Sequence, residues 1–94
     1  MFEVFGFYKF KKLISLNKNK LFIQDFLIKK GIRGTVIIAK EGLNGTISGK
    51  TKDIRDVINK IKKIFSIKEF DNSNTSKSKF QPFHKPKVKI KKEV

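Results

Sequence analysis

Apolar positions at the start of the chain recur with period two. Phe2 to Phe10 reads as a strand with Val4, Gly6, Tyr8 and Phe10 on one face and Glu3, Phe5, Phe7 and Lys9 on the other. A connector from Lys11 to Asn17 follows, and then the spacing becomes helical. Phe22, Ile23, Phe26 and Leu27, flanked by Leu21 and Ile28, predict a helix over residues 18–30, and Gly31 after Lys29-Lys30 supplies its stop. Thr35 to Ala39 is a short continuous apolar run, as a central strand would be. Glu41 to Gly49 holds three glycines and the pair Asn44-Gly45, which tolerates positive φ and predicts a tight hairpin tip before the short strand Thr46-Ile47-Ser48.

Helical spacing then returns. Thr51 reads as a helix cap, with Asp53 in the first turn where the macrodipole favours negative charge. Ile54, Val57, Ile58, Ile61, Ile64 and Phe65 form one stripe, with Lys60, Lys62 and Lys63 near its end. Ile67 to Phe70 predicts another strand. Asp71 to Lys79 has no core-forming residue and reads as a mobile polar loop. The order β-α-β-β-α-β predicts a ferredoxin-like α+β domain over residues 2–71, with both helices on one face of a four-stranded antiparallel sheet. The polar loop at 72–79 and a basic extended segment at 80–94 complete the chain. In that last segment Lys85, Lys87, Lys89 and Lys91 alternate with Pro86, Val88 and Ile90, which places four ammonium groups on one side and apolar groups on the other.

Composition sharpens this picture in two respects. Ninety-four residues suit one small domain, and the absence of cysteine excludes disulfides, thiolate metal sites and thiol nucleophiles. No apolar run is long enough to cross a membrane, and the first residues lack the features of a secretory signal, so a cytoplasmic location with no membrane partner is expected. The net charge of +15 draws polyanions, nucleic acid above all. Lysine supplies 21 of the 23 positive charges, and the chain is rich in Lys, Ile, Phe and Asn. An AT-rich genome yields the same profile, so charge alone supports nucleic-acid binding without deciding it.

Side chains suited to catalysis are scarce. His84 stands alone between Phe83 and Lys85, where a surface role is the simpler reading, and no His/Asp/Glu cluster has metal-ligand spacing. No catalytic residue, metal site or cofactor is assigned to this chain. The glycine-rich tip could present backbone amides to an anion, although Glu41 opposes a phosphate there and a tight hairpin explains the same residues. The row Lys85, Lys87, Lys89 and Lys91 is the main candidate contact for a phosphate backbone; Tyr8, Lys9, Lys40 and Asn44 are secondary candidates. The competing reading of the row is a solvated charge run that touches nothing.

Three strings carry a family resemblance: Phe7-Tyr8-Lys9-Phe10, Gly31-Ile32-Arg33-Gly34-Thr35-Val36, and the nine residues Glu41 to Gly49. With the segment from Pro82 to Val94 they resemble the N-terminal domain of the bacterial tRNA wobble-uridine hydroxylase family, the rhodanese-related proteins. The resemblance implies a following rhodanese-like domain with an active-site cysteine, tRNA as partner, and oxidation of the wobble uridine to 5-hydroxyuridine with molecular oxygen as co-substrate. On that basis this chain is expected to be an accessory module that holds tRNA or supports the catalytic domain, and not to hydroxylate alone. A stand-alone basic RNA- or ribosome-binding protein is the alternative. The glycine-flanked strand at 31–36 is also similar to acylphosphatase, but Lys11-Lys12-Leu13-Ile14 lacks that family's phosphate-loop glycines and arginine, and Ile38 stands where its asparagine would be. An acylphosphatase-like domain without that activity is therefore expected.

Overall fold

The computed structural model describes residues 1–93, so Val94, the last residue of the basic segment, lies outside the described residues. Seven elements follow in order: β1 (Phe2–Phe10), α1 (Leu16–Lys29), β2 (Arg33–Ala39), β3 (Gly42–Gly49), α2 (Thr51–Phe65), β4 (Asn72–Ser78) and β5 (Pro86–Ile90). The strands form one mixed sheet in the order β4-β1-β3-β2-β5. Three pairings are antiparallel, and β5 lies parallel to β2. Both helices pack on one face, where Ile23 and Leu27 of α1 and Ile54, Val57, Ile61 and Phe65 of α2 share a core with Phe7, Val36, Ile38, Leu43, Ile47 and Val88. Among the described residues no helix lies over the other face.

The α+β class, the two helices and the division of β1 into two faces are as the periodicity predicts. The four-stranded antiparallel sheet is not, and the difference is physical. Ile67 to Phe70 is a connection rather than a strand. Its apolar ends serve packing: Ile67 is buried, and the Phe70 ring lies 4.8 Å from Phe7 and 6.1 Å from Phe5. The fourth strand is the polar segment for which composition predicts a loop. Asn72–Ser78 pairs with β1 along seven register positions, and its hold on the sheet is backbone hydrogen bonding that no hydrophobic pattern reveals. A polar edge also discourages further strand addition. The basic segment supplies the fifth strand.

The hairpin between β2 and β3 also differs. Ala39 pairs with Gly42, so the turn is Lys40-Glu41, and Asn44-Gly45 lies within the central strand. Its glycine answers a need for space rather than a turn. A Cβ on Gly45 would stand 2.8 Å from the Thr35 carbonyl oxygen and 2.9 Å from Cζ of the Phe7 ring. Gly42 follows the turn at φ 152°, where a Cβ would collide with the Lys9 carbonyl oxygen. Two helix boundaries move as well. α1 begins at Leu16, and α2 is preceded by Lys50, so Thr51 is its first residue rather than its cap; the Thr51 hydroxyl instead accepts a hydrogen bond from Lys77 at 3.1 Å. Gly31 ends α1 with positive φ as expected.

β5 is fastened from two sides. Its backbone pairs with β2, while Gln24 of α1 donates to the Pro86 carbonyl and accepts from the Val88 amide, both at 2.8 Å. Gln24 thus occupies the place of a further strand on the sheet's outer edge. Replacing Gln24 by Ala leaves a partly buried amide without an acceptor, at a cost of about 1–3 kcal/mol. Denaturant unfolding should show that loss, with the Val88 amide among those whose hydrogen exchange accelerates most; an unchanged midpoint would contradict the role given to Gln24.

Candidate nucleic-acid interface

Strand register orders the uncovered sheet face into rows. Asn72, Tyr8, Asn44, Ile37 and Lys89 are neighbours across the strands, and Asn74, Gly6, Thr46, Thr35 and Lys87 form the adjacent row. Alternation assigns these residues to one face because their chain neighbours Phe7, Leu43, Val36, Ile38 and Val88 are buried under the helices. One end of each row is amide, the other ammonium. Adjacent strands lie about 4.8 Å apart, so three gaps put Tyr8 and Lys89 roughly 14 Å from each other.

Of the four lysines in the basic segment, Lys87 and Lys89 lie within β5 and face as their alternation suggests. Val88 is buried and Ile90 packs against the core, while Lys87 and Lys89 are exposed on the opposite side. Lys85 and Lys91 flank β5 and are tied to β2 through backbone hydrogen bonds, Gly34 N–H to the Lys85 carbonyl at 2.9 Å and Lys91 N–H to the Ile38 carbonyl at 3.0 Å. None of the four makes an ion pair among the described residues. Arg33 at the start of β2 adds a cation on the same face, bonded through its guanidinium to the Phe83 carbonyl at 3.4 Å.

The secondary candidates separate. Tyr8 and Asn44 are cross-strand neighbours on the uncovered face, where the exposed Phe10 meets Tyr8 edge-on at a ring distance of 5.7 Å. Lys40 is exposed in the β2–β3 turn, beyond the Phe10 end of β1. Lys9 does not join them. It belongs to the helix-side set of β1, and its ammonium group pairs with Asp71 at 3.2 Å. Three residues on the uncovered face were not singled out in the sequence: Gly6, Asn72 and Asn74. Asn72, Asn74, Ser76 and Ser78 alternate with Ser73, Thr75 and Lys77, but this period of two within a wholly polar segment acquires meaning only once the segment is known to pair with β1.

Asp71 sets that pairing. Its carboxylate accepts from the Phe10 amide at 2.6 Å and from the Lys9 ammonium, and its own amide donates to the Tyr8 carbonyl at 2.9 Å. The Phe10 amide first, opposed by some desolvation and helped by Lys9, holds the carboxyl below the usual aspartate range. A folded-state pKa lowered in this way stabilises the fold above the unfolded value of about 3.9 and ceases to do so as pH falls through the folded value.

The loop between β1 and α1 is closed by backbone pairing with the β2–β3 turn. Between β1 and α1, the Lys11 amide donates to the Glu41 carbonyl and the Leu13 amide to the Lys40 carbonyl, both at 2.9 Å, and the Leu13 side chain is buried. Ile38 is wholly buried under the helices. Among the described residues no cluster of His, Cys, Asp or Glu could hold a metal ion, and no helix is long and apolar enough to cross a membrane.

Sequence comparison decides the family. Residues 2–94 match the family model described as the UPF0176 acylphosphatase like domain. The chain belongs to this family. It is 72% identical over its full length to a protein of Pelagibacter ubique named tRNA uridine(34) hydroxylase, of which it covers 31%, and 40% identical to one of the same name from Anaplasma phagocytophilum, of which it covers 33%. The chain thus spans about a third of the length of these curated relatives. Among solved structures, acylphosphatase from Bacillus subtilis aligns with a TM-score of 0.63 at 11% identity, covering 94% of this chain and 98% of that one. At that identity the likeness is one of fold.

Two outcomes follow from this geometry. Replacing Asp71 by Asn should loosen the β1–β4 end at neutral pH, and the stability gap to the parent should shrink as pH falls below about 4. Unfolding midpoints and exchange of the Phe10 amide measured at neutral and acid pH would show it; a gap independent of pH would contradict the carboxylate's role. An acylphosphate hydrolysis assay should give no turnover above buffer, and measurable turnover would overturn the reading of the β1–α1 loop.

Proposed function

We propose that this domain is the tRNA-holding module of a tRNA wobble-uridine hydroxylase, and that it engages RNA through the uncovered sheet face and the lysines along β5. The supporting observation is the segregation of charge. Lys87, Lys89 and Arg33 lie on that face, with Lys85 and Lys91 beside it, and no strand position on it carries a carboxylate. Six of the eight acids lie on the helix-side layer or its connections, as Glu3, Asp25, Asp53, Asp56, Glu69 and Asp71; Glu41 is in the β2–β3 turn and Glu93 beyond β5. Codon bias would raise the lysine count without clearing one face of carboxylates. The name of the relatives, tRNA uridine(34) hydroxylase, supports tRNA as the polyanion.

In this reading the oxidation takes place in a rhodanese-like domain, with molecular oxygen as co-substrate, and the present domain contributes affinity and orientation. Lysines held about 6.6 Å apart along an extended strand, every second residue, can follow a phosphate backbone without reading sequence. Changing Lys85, Lys87, Lys89 and Lys91 together to Gln should weaken tRNA binding and flatten its dependence on salt by about three units of log K per log salt. Filter-binding titrations across a salt series measure both quantities. An unchanged slope would return these lysines to plain surface.

A further inference from the structure

The amide end of the uncovered face is not explained by phosphate binding. Around Gly6 lies a shallow depression of about 280 Å³, bordered by Tyr8, Asn44, Thr46, Asn72 and Asn74. Its floor exists because Gly6 has no side chain; its cross-strand neighbours are Thr46 on one side and Asn74 on the other. Tyr8 closes one end, flanked by Asn44 and Asn72 in register, and remains 38% exposed. The side-chain amides of Asn44, Asn72 and Asn74 make no hydrogen bond to any other described residue. Three amides, each able to donate and accept, therefore converge without partners beside an accessible aromatic ring. Nothing there is charged.

We infer that this depression receives one unpaired nucleobase, stacked against Tyr8 and hydrogen-bonded along its edge by Asn44, Asn72 and Asn74, while the lysines of β5 hold the phosphates on either side. A base offers what the site lacks: a flat π-face for the ring, and alternating donors and acceptors for the amides. Phosphate is a poor match, since the asparagine amides bring no positive charge and the ammonium groups stand three strands away. The inference rests on the proposed RNA role and adds to it a preference for single-stranded over fully paired RNA.

The 94-residue chain can test this with two probes of equal charge, a short oligouridylate and the same strand with abasic residues. The base-bearing strand should bind at least about five-fold more tightly. Gly6→Val fills the depression with a residue suited to a strand, and its Cβ meets nothing closer than the movable Asn74 side chain at 3.2 Å, so the fold should survive; circular dichroism and thermal unfolding check this. This variant should bind both strands equally while keeping the salt slope of the parent. Tyr8→Phe should retain most of the preference, and Tyr8→Ala should lose it. Equal binding of the two strands by the parent, or an undiminished preference in a folded Gly6→Val, would overturn the base site and leave the lysine row standing. Failure of both strands to bind at low salt would overturn the base site and the RNA role together.

Discussion

The contact on which the molecule turns is the Phe7 ring lying over Gly45. Phe7 is buried, stacks 5.7 Å from Phe5, and occupies space that any side chain at position 45 would fill. It fixes the register of β1 against β3, and β1 is where the consequences are greatest. A slip of one residue would turn Tyr8 and Gly6 toward the helices and Phe5 and Phe7 toward solvent. With the register held, the odd positions of β1 complete the core, and the even positions Gly6, Tyr8 and Phe10 are left on a face that no helix covers. The amide depression, the aromatic pair and the cross-strand path to the lysines all depend on that choice.

Charge is distributed along the same division. The helix-side layer mixes signs: Lys30 pairs with Asp56 at 3.0 Å and Lys77 with Glu3 at 3.4 Å, while Lys60 lies 5.3 Å from the Phe22 and Phe26 ring centroids. Such solvent-reached surface pairs contribute little to stability, but they disperse the field on that side. The uncovered face carries cations at the β5 edge and neutral amides at the β4 edge. A single RNA strand crossing it would pass from electrostatic attraction to short-range recognition.

Much of this was legible in the sequence because it rests on strong periodicity. The core stripe of α2, the two faces of β1 and the alternation of Lys87 and Lys89 with Val88 follow directly from spacing, and the family follows from EGLNGTISG and its flanking strings. What escaped reading depends on pairing between distant segments. Asn72–Ser78 has no apolar residue to mark it as a strand, and its position follows from Asp71 binding the end of β1. Asn44-Gly45 carries a hairpin signature, yet serves as the middle of a strand because Phe7 needs the space. The amide cluster was invisible for the same reason: Asn44 and Asn72 are 28 positions apart and become neighbours of Tyr8 only through the register of β1 with both β3 and β4.

The central claim is that one face of the sheet meets RNA and the helical face does not. Chemical acetylation of lysines, followed by mass spectrometry of the chain alone and bound to tRNA, tests it most directly. The account predicts strong protection of Lys87 and Lys89, with little change at Lys18 and Lys52, which are exposed on α1 and α2. Protection of Lys18 and Lys52 with Lys87 and Lys89 still reactive would contradict it.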